Sequence, residues 1–193
     1  MKKSIAAIAL ATLFSANTIA AQNDWNFVDL GYTSANYEDL DSNPDGFSIK
    51  GSYLVNDNII LTADFQRLSD DLYGVDVDLD QLSVGAGYRF VLNDKTEAYA
   101  ILSYERIEAK AQYMGYSDDE DDNGYGLTAG IRQMVGENVE LKVEAGYVNT
   151  SDDREMSYTL GGRYYINDQW SVAFDYALAS ERNLTSFSAR YQF

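Results

Sequence analysis

A turn dipeptide recurs along this chain at the ends of segments that alternate apolar and polar residues, and the pairing of the two constrains the fold strongly. The dipeptides are Asn23-Asp24, Asn56-Asp57, Asn93-Asp94, Gly136-Glu137 and Asn167-Asp168. The last four each follow a similar tetrapeptide: Ser52-Tyr53-Leu54-Val55, Arg89-Phe90-Val91-Leu92, Arg132-Gln133-Met134-Val135 and Arg163-Tyr164-Tyr165-Ile166. The terminal Arg190-Tyr191-Gln192-Phe193 fits the same frame. Asn and Asp side chains bond nearby backbone and tolerate left-handed dihedrals, so each unit reads as a strand running into a tight turn. After the turns, apolar residues return at every second position, as in Ile59, Leu61, Ala63 and Phe65, or Trp170, Val172, Phe174, Tyr176 and Leu178. A period of two is that of a strand with one apolar and one wet face. Five incoming and five outgoing segments of this kind give ten strands.

The expected strands run 24–35, 46–55, 58–68, 80–91, 96–109, 124–134, 139–149, 156–166, 170–179 and 185–193. Most approach the ~9 to 11 residues that a tilted strand needs to cross a membrane. Eight strands is the alternative, if one hairpin is an ordered loop. In the strand after Asn93-Asp94 the outward face stays open, since Tyr99 and Ile101 compete for it with Ala98, Ala100 and Leu102.

Residues 1–21 read as a signal peptide: Met1-Lys2-Lys3 is basic, Ile5 to Phe14 is apolar, and small residues close the segment. The expected mature domain is 22–193. Loss of Lys2 and Lys3 from the 14 basic residues leaves 12 against 31 acidic ones, a formal charge of about −19. Such a charge excludes a nucleic-acid binder. There is no cysteine, so no disulfide framework is expected. Beyond the leader no segment approaches the ~18 consecutive apolar residues of a membrane helix, whereas a barrel needs only every second residue apolar.

A soluble sandwich also alternates. Here, short turns alternate with longer connections, as in an up-and-down barrel. Tyr53, Tyr88, Phe90, Tyr164, Trp170, Tyr191 and Phe193 gather near strand ends on the apolar face, where interfacial aromatic girdles sit. The last strand keeps its alternation to Phe193. The expectation is an all-β, up-and-down antiparallel transmembrane barrel.

The basic leader, the Asn-Asp turns, Gly85-Ala86-Gly87-Tyr88-Arg89-Phe90, Gly161-Gly162-Arg163-Tyr164-Tyr165 and the terminal Phe193 resemble the small porin-like outer-membrane β-barrels of Gram-negative bacteria. That resemblance implies short turns on the periplasmic side, long loops outside, and Tyr191 and Phe193 as an assembly signal read by the outer-membrane assembly machinery. It implies contact with outer-membrane lipid and lipopolysaccharide. No peptidoglycan-binding domain is expected after Phe193, and the protein is expected to be a monomer.

The inward face collects Asp29, Lys50, Asp64, Arg89, Glu105, Arg132, Lys142, Glu144, Arg163, Asp175 and Arg190. Buried charges persist when paired, so Asp64, Arg89, Arg132, Lys142, Glu144, Arg163, Asp175 and Arg190 are expected to form a lumen network, the arginines pairing with acids slightly higher in the barrel. A small barrel is nearly filled by its own side chains, which favours a plug over a pore, with a narrow channel for small polar solutes or cations as the alternative. There is no histidine, so His-dependent acyl transfer and hydrolysis cannot run. No catalytic residue and no cofactor is expected.

The acids concentrate in the expected outer loops: Glu38, Asp39, Asp41 and Asp45; Asp70, Asp71, Asp76 and Asp78; Asp118 to Asp122; and Asp152, Asp153 and Glu155. Asp119, Asp121, Asn123 and Gly124 match part of a calcium loop, but Gly130 stands where the bidentate Glu belongs, so the expectation is at most loose Ca²⁺ or Mg²⁺ binding.

Overall fold

The computed structural model describes residues 25–37, 43–72, 75–113, 116–151, 153–180 and 182–193. The expected leader and the Asn23-Asp24 turn lie outside them. Alternation and turns together produce ten strands: β1 (Phe27–Tyr37), β2 (Asp45–Leu54), β3 (Ile59–Leu72), β4 (Val75–Asn93), β5 (Thr96–Tyr113), β6 (Tyr116–Val135), β7 (Val139–Thr150), β8 (Arg154–Tyr165), β9 (Trp170–Ala179) and β10 (Arg182–Gln192). Each pairs antiparallel with its sequence neighbours, and β1 pairs with β10 from Phe27↔Gln192 to Tyr37↔Arg182, closing the barrel. Closure removes the sheet edges that would otherwise leave backbone groups unpaired in lipid. The eight-strand alternative is thereby excluded.

The turn residues act as their chemistry requires. Asn56 Oδ1 accepts the backbone N–H groups of Asn58 and Ile59 at 3.0 and 2.9 Å, and Asn167 Oδ1 those of Gln169 and Trp170 at 2.9 and 2.8 Å. Asn93 Oδ1 accepts from Lys95 N–H at 2.9 Å. In the fourth of the five units the left-handed position falls to Gly136, with φ of 77°.

The apolar face points outward. Leu30, Leu61, Val84, Leu102, Leu127, Val143, Leu160, Val172 and Phe187 are all exposed around the wall. Tyr53, Tyr88, Phe90, Tyr164, Trp170, Tyr191 and Phe193 are exposed at its short-turn end. The open choice in β5 resolves with Leu102 and Tyr104 outward and Tyr99 and Ile101 buried in the lumen. Tyr99 meets Trp25 edge-on at 5.0 Å between ring centroids, within an internal cluster that includes Phe27, Ile60 and Ile101. An aromatic inside this narrow end fills space that a charged residue would have to be solvated to occupy.

The largest departure from expectation is on the opposite side. β4, β5 and β6 contain 19, 18 and 20 residues, about twice what one crossing needs. Asp70 and Asp71 lie in β3, Asp76 and Asp78 in β4, 118–122 in β6, Asp45 in β2 and Glu155 in β8, so these acids belong to strands and not to loops. The pairing Leu72↔Val75 and Tyr113↔Tyr116 carries two hairpins far above the belt. Residues 38–42 and Asp152, also expected in outer loops, lie outside the described residues. The partial calcium motif is extended strand, which sends successive side chains to opposite faces and spreads alternate ones along the sheet instead of wrapping them round an ion.

Candidate functional site in the barrel lumen

At the short-turn end, strand register sets charged side chains of neighbouring strands against one another. Arg132 is opposite Glu97, and its Nε donates to Glu97 Oε1 at 2.8 Å. Its Nη1 lies 3.8 Å from Glu140 Oε2, and its guanidinium stacks over Trp25 at 4.1 Å from the ring centroid. Trp25 Nε1 donates to the same Glu97 oxygen at 2.8 Å, and the Tyr165 hydroxyl donates to Glu140 at 2.9 Å. Arg89 Nη1 approaches Glu97 at 3.5 Å while its Nε donates to the backbone carbonyl of Asp57 at 2.7 Å.

A second group is centred on Asp29. Arg190, its register partner, donates to Asp29 Oδ2 at 2.7 Å, and Arg163 reaches the same oxygen at 3.1 Å. Arg163 also donates to Ser171 at 3.1 Å, and Arg190 covers the Phe27 ring at 3.4 Å. Higher in the lumen, Lys142 binds Glu144 at 2.6 Å and Asp175 at 3.0 Å. Gly161 makes that pair possible, because a Cβ there would sit 2.0 Å from Asp175 Oδ1. Desolvated charges held this closely strengthen one another's hydrogen bonds and are costly to separate.

Seven of the eight expected network residues thus fall into these pairs. Asp64 is apart from them: it faces Lys50 across the β2–β3 register and makes no ion pair within 4 Å among the described residues. Arg132 and Arg190 take partners beside them on adjacent strands instead of acids higher in the barrel, because a partner in direct register brings both heads together with least extension. Sequence reading missed Glu97, Glu140, Trp25 and Tyr165 as network members. Glu97 shares its inward parity with Tyr99, so fixing the β5 phase would have found it.

The lumen widens away from this end. Space among the lower charges is a cavity of about 40 Å³, room for a water or two. Above it lies a cavity of about 230 Å³ lined by Lys50, Asp64, Ser83 and Glu105 among others, and at the long-strand mouth one of about 320 Å³. At the mouth Arg182 donates to Glu155 at 2.8 Å and to the Tyr37 hydroxyl at 3.1 Å.

A closed antiparallel barrel with an apolar exterior, aromatic residues at the belt's edge and charge inside is the membrane-spanning class of β-protein. Residues 6–161 match the family model described as outer membrane protein beta-barrel domain, and the chain belongs to that family. It is an outer-membrane β-barrel protein of a Gram-negative bacterium. No curated protein sequence matches it. Among solved structures it is similar to the NanC porin, at 7% identity and TM-score 0.56, covering 86% of this chain and 100% of that one. It is also similar to the translocator domain of autotransporter NalP from Neisseria meningitidis, at 12% identity and TM-score 0.51 over 90% and 91%. A third is the attachment invasion locus protein Ail of Yersinia pestis in complex with the heparin analogue sucrose octasulfate, at 19% identity and TM-score 0.50 over 86% and 97%. At these identities the likeness is one of fold.

Proposed function

We propose that this protein is a monomeric, non-enzymatic barrel with a structural and interaction role in the cell envelope, its lumen closed at the periplasmic end and its acidic strands raised outside. The observation that supports this reading is the filled short-turn end, where Arg132, Glu97, Glu140, Arg163, Asp29 and Arg190 interlock around a cavity of about 40 Å³. A hydrated ion crossing there would have to separate buried pairs. The wider cavities above favour a second reading, a narrow channel for small polar solutes or cations. Planar-bilayer recording of the refolded barrel separates the two. Silence is expected; stable, reproducible unit currents would establish the channel and defeat the plug.

In the same proposal the leader 1–21 is removed on export, the exterior contacts lipid and lipopolysaccharide, and Tyr191 and Phe193 present the last strand to the assembly machinery. Support comes from the end of the chain. Phe193 N–H donates to Asn26 O at 3.1 Å while its ring is exposed on the lipid-facing side.

A further inference from the structure

One rung of the lumen carries a break in its charge pattern. Cross-strand register sets Arg190 beside Asp29, Asp29 beside Lys50, Lys50 beside Asp64, Asp64 beside Ser83 and Ser83 beside Glu105. Charge alternates along it until Ser83, which stands between two carboxylates where a cation would continue the series. Glu105 is only 4% exposed, yet its bonds come from neutral donors: Ser83 at 2.8 Å, Ser103 at 2.5 Å and Gln81 at 3.4 Å. No cation among the described residues lies within 4 Å of Glu105 or Asp64. The wall is shaped for this carboxylate, since a Cβ on Gly126 would sit 2.6 Å from Glu105 Oε1.

The break opens directly onto the 230 Å³ cavity. Among the described residues its lining contains three carboxylates and one cation, Lys50, and Glu144 is already held by Lys142. Asp64 and Glu105 against Lys50 leave one negative charge uncompensated. The remaining lining is rich in hydroxyls, including Thr62, Ser103 and Thr159. Among the described residues no group of three or more His, Cys, Asp or Glu is placed to hold a metal ion. Two carboxylates flanking a hydroxyl instead offer three acceptors to one compact head with three donors, which is the geometry of a primary ammonium.

We propose that the mid-lumen chamber is a binding site, entered from outside, for a small hydroxylated primary ammonium compound, whose head sits between Asp64 and Glu105 at Ser83. Gln81 joins the chamber to the wider mouth above, because it donates to Glu105 and also lines the 320 Å³ cavity. The acidic outer strands raise the local concentration of cations at that mouth. Closure at the periplasmic end makes this a cup and not a conduit.

The test is titration of the full barrel, refolded in detergent micelles at pH 7 and constant ionic strength, with ethanolammonium chloride, followed through the backbone amides of Asp64, Ser83 and Glu105 by NMR. Saturable shifts at those amides are expected, weakened at least about tenfold in Glu105→Gln. They should vanish in Ser83→Lys, which supplies the missing charge from the chain itself, with heat-modifiable gel mobility reporting that each variant is folded. Absence of saturation into the tens of millimolar would overturn the proposal, as would undiminished binding by folded Ser83→Lys. Equal displacement by potassium chloride would overturn the ammonium assignment in favour of an alkali ion.

Discussion

At the scale of single residues, this barrel is organised by arginines whose partners are fixed by register. Arg132 is 3% exposed and joins Glu97 and Glu140. Its replacement by alanine leaves the buried Glu140 without a cation within 4 Å among the described residues and Glu97 with only Arg89 at 3.5 Å, and the expected loss is about 3–5 kcal/mol in denaturant unfolding from lipid vesicles. Adding Glu97→Gln and Glu140→Gln to Arg132→Met should recover much of it, because the cost lies in unpaired charge more than in lost volume. Outside the membrane belt, Asp80 accepts from Arg67 Nε at 2.5 Å, with Lys110 at 3.7 Å. Arg67's hydrogen bonds hold the Asp80 carboxyl below its ordinary range, against the opposing effect of its burial. A depressed carboxylate favours the folded form above the unfolded pKa, so this contribution is complete above about pH 5 and is lost as pH falls through and below about 4. Hydrogen-exchange protection factors of the upper β3–β4 hairpin should therefore fall with pH in that window. In Asp80→Asn they should be low already at pH 7 and lose that dependence.

At the scale of the element, β5 shows why strand phase and strand length are separate questions. Leu102 and Tyr104 face outward in the belt, and the same parity then carries Arg106, Glu108 and Lys110, while Ile107 takes the inner side. Alternation continues without a break, but polarity exchanges faces where the wall leaves lipid. A sequence reading that stops a strand where the apolar outward face ends places the acids in loops. Paired backbone continues past that point because two adjacent extended segments satisfy each other's hydrogen bonds in water as well as in lipid. Two substitutions on one face of this strand measure the boundary. Leu102→Arg, 61% exposed to the lipid side, should cost about 2–4 kcal/mol of folding free energy in vesicles. Arg106→Gln breaks only an exposed pair with Asp121 at 3.8 Å and should change stability by less than about 0.5 kcal/mol.

At the scale of the whole molecule, the last strand both closes the barrel and ends at its membrane interface. Deleting Phe193 removes an exposed aromatic and one backbone bond to Asn26, a small loss for the folded barrel. Outer-membrane levels of the deletion should nonetheless fall severalfold in cells, while its heat-modifiable mobility after refolding in detergent stays normal. Unchanged membrane levels would remove the assembly role of this residue. The strand count, the short turns and, outside β5, the lipid-facing set and most of the inward charges were legible from the sequence, because each follows from neighbours within one strand or turn: a period of two, or an Asn side chain reaching two or three residues ahead. Which charge meets which was not legible. Whether Arg132 finds Glu97, whether Arg163 crosses to Asp29, and whether a serine interrupts the rung between Asp64 and Glu105 depend on register around a closed wall. Register joins residues as distant in the chain as Phe27 and Gln192, and it sets Asp29 beside Arg190, 161 positions away, so only the closed tertiary structure decides it.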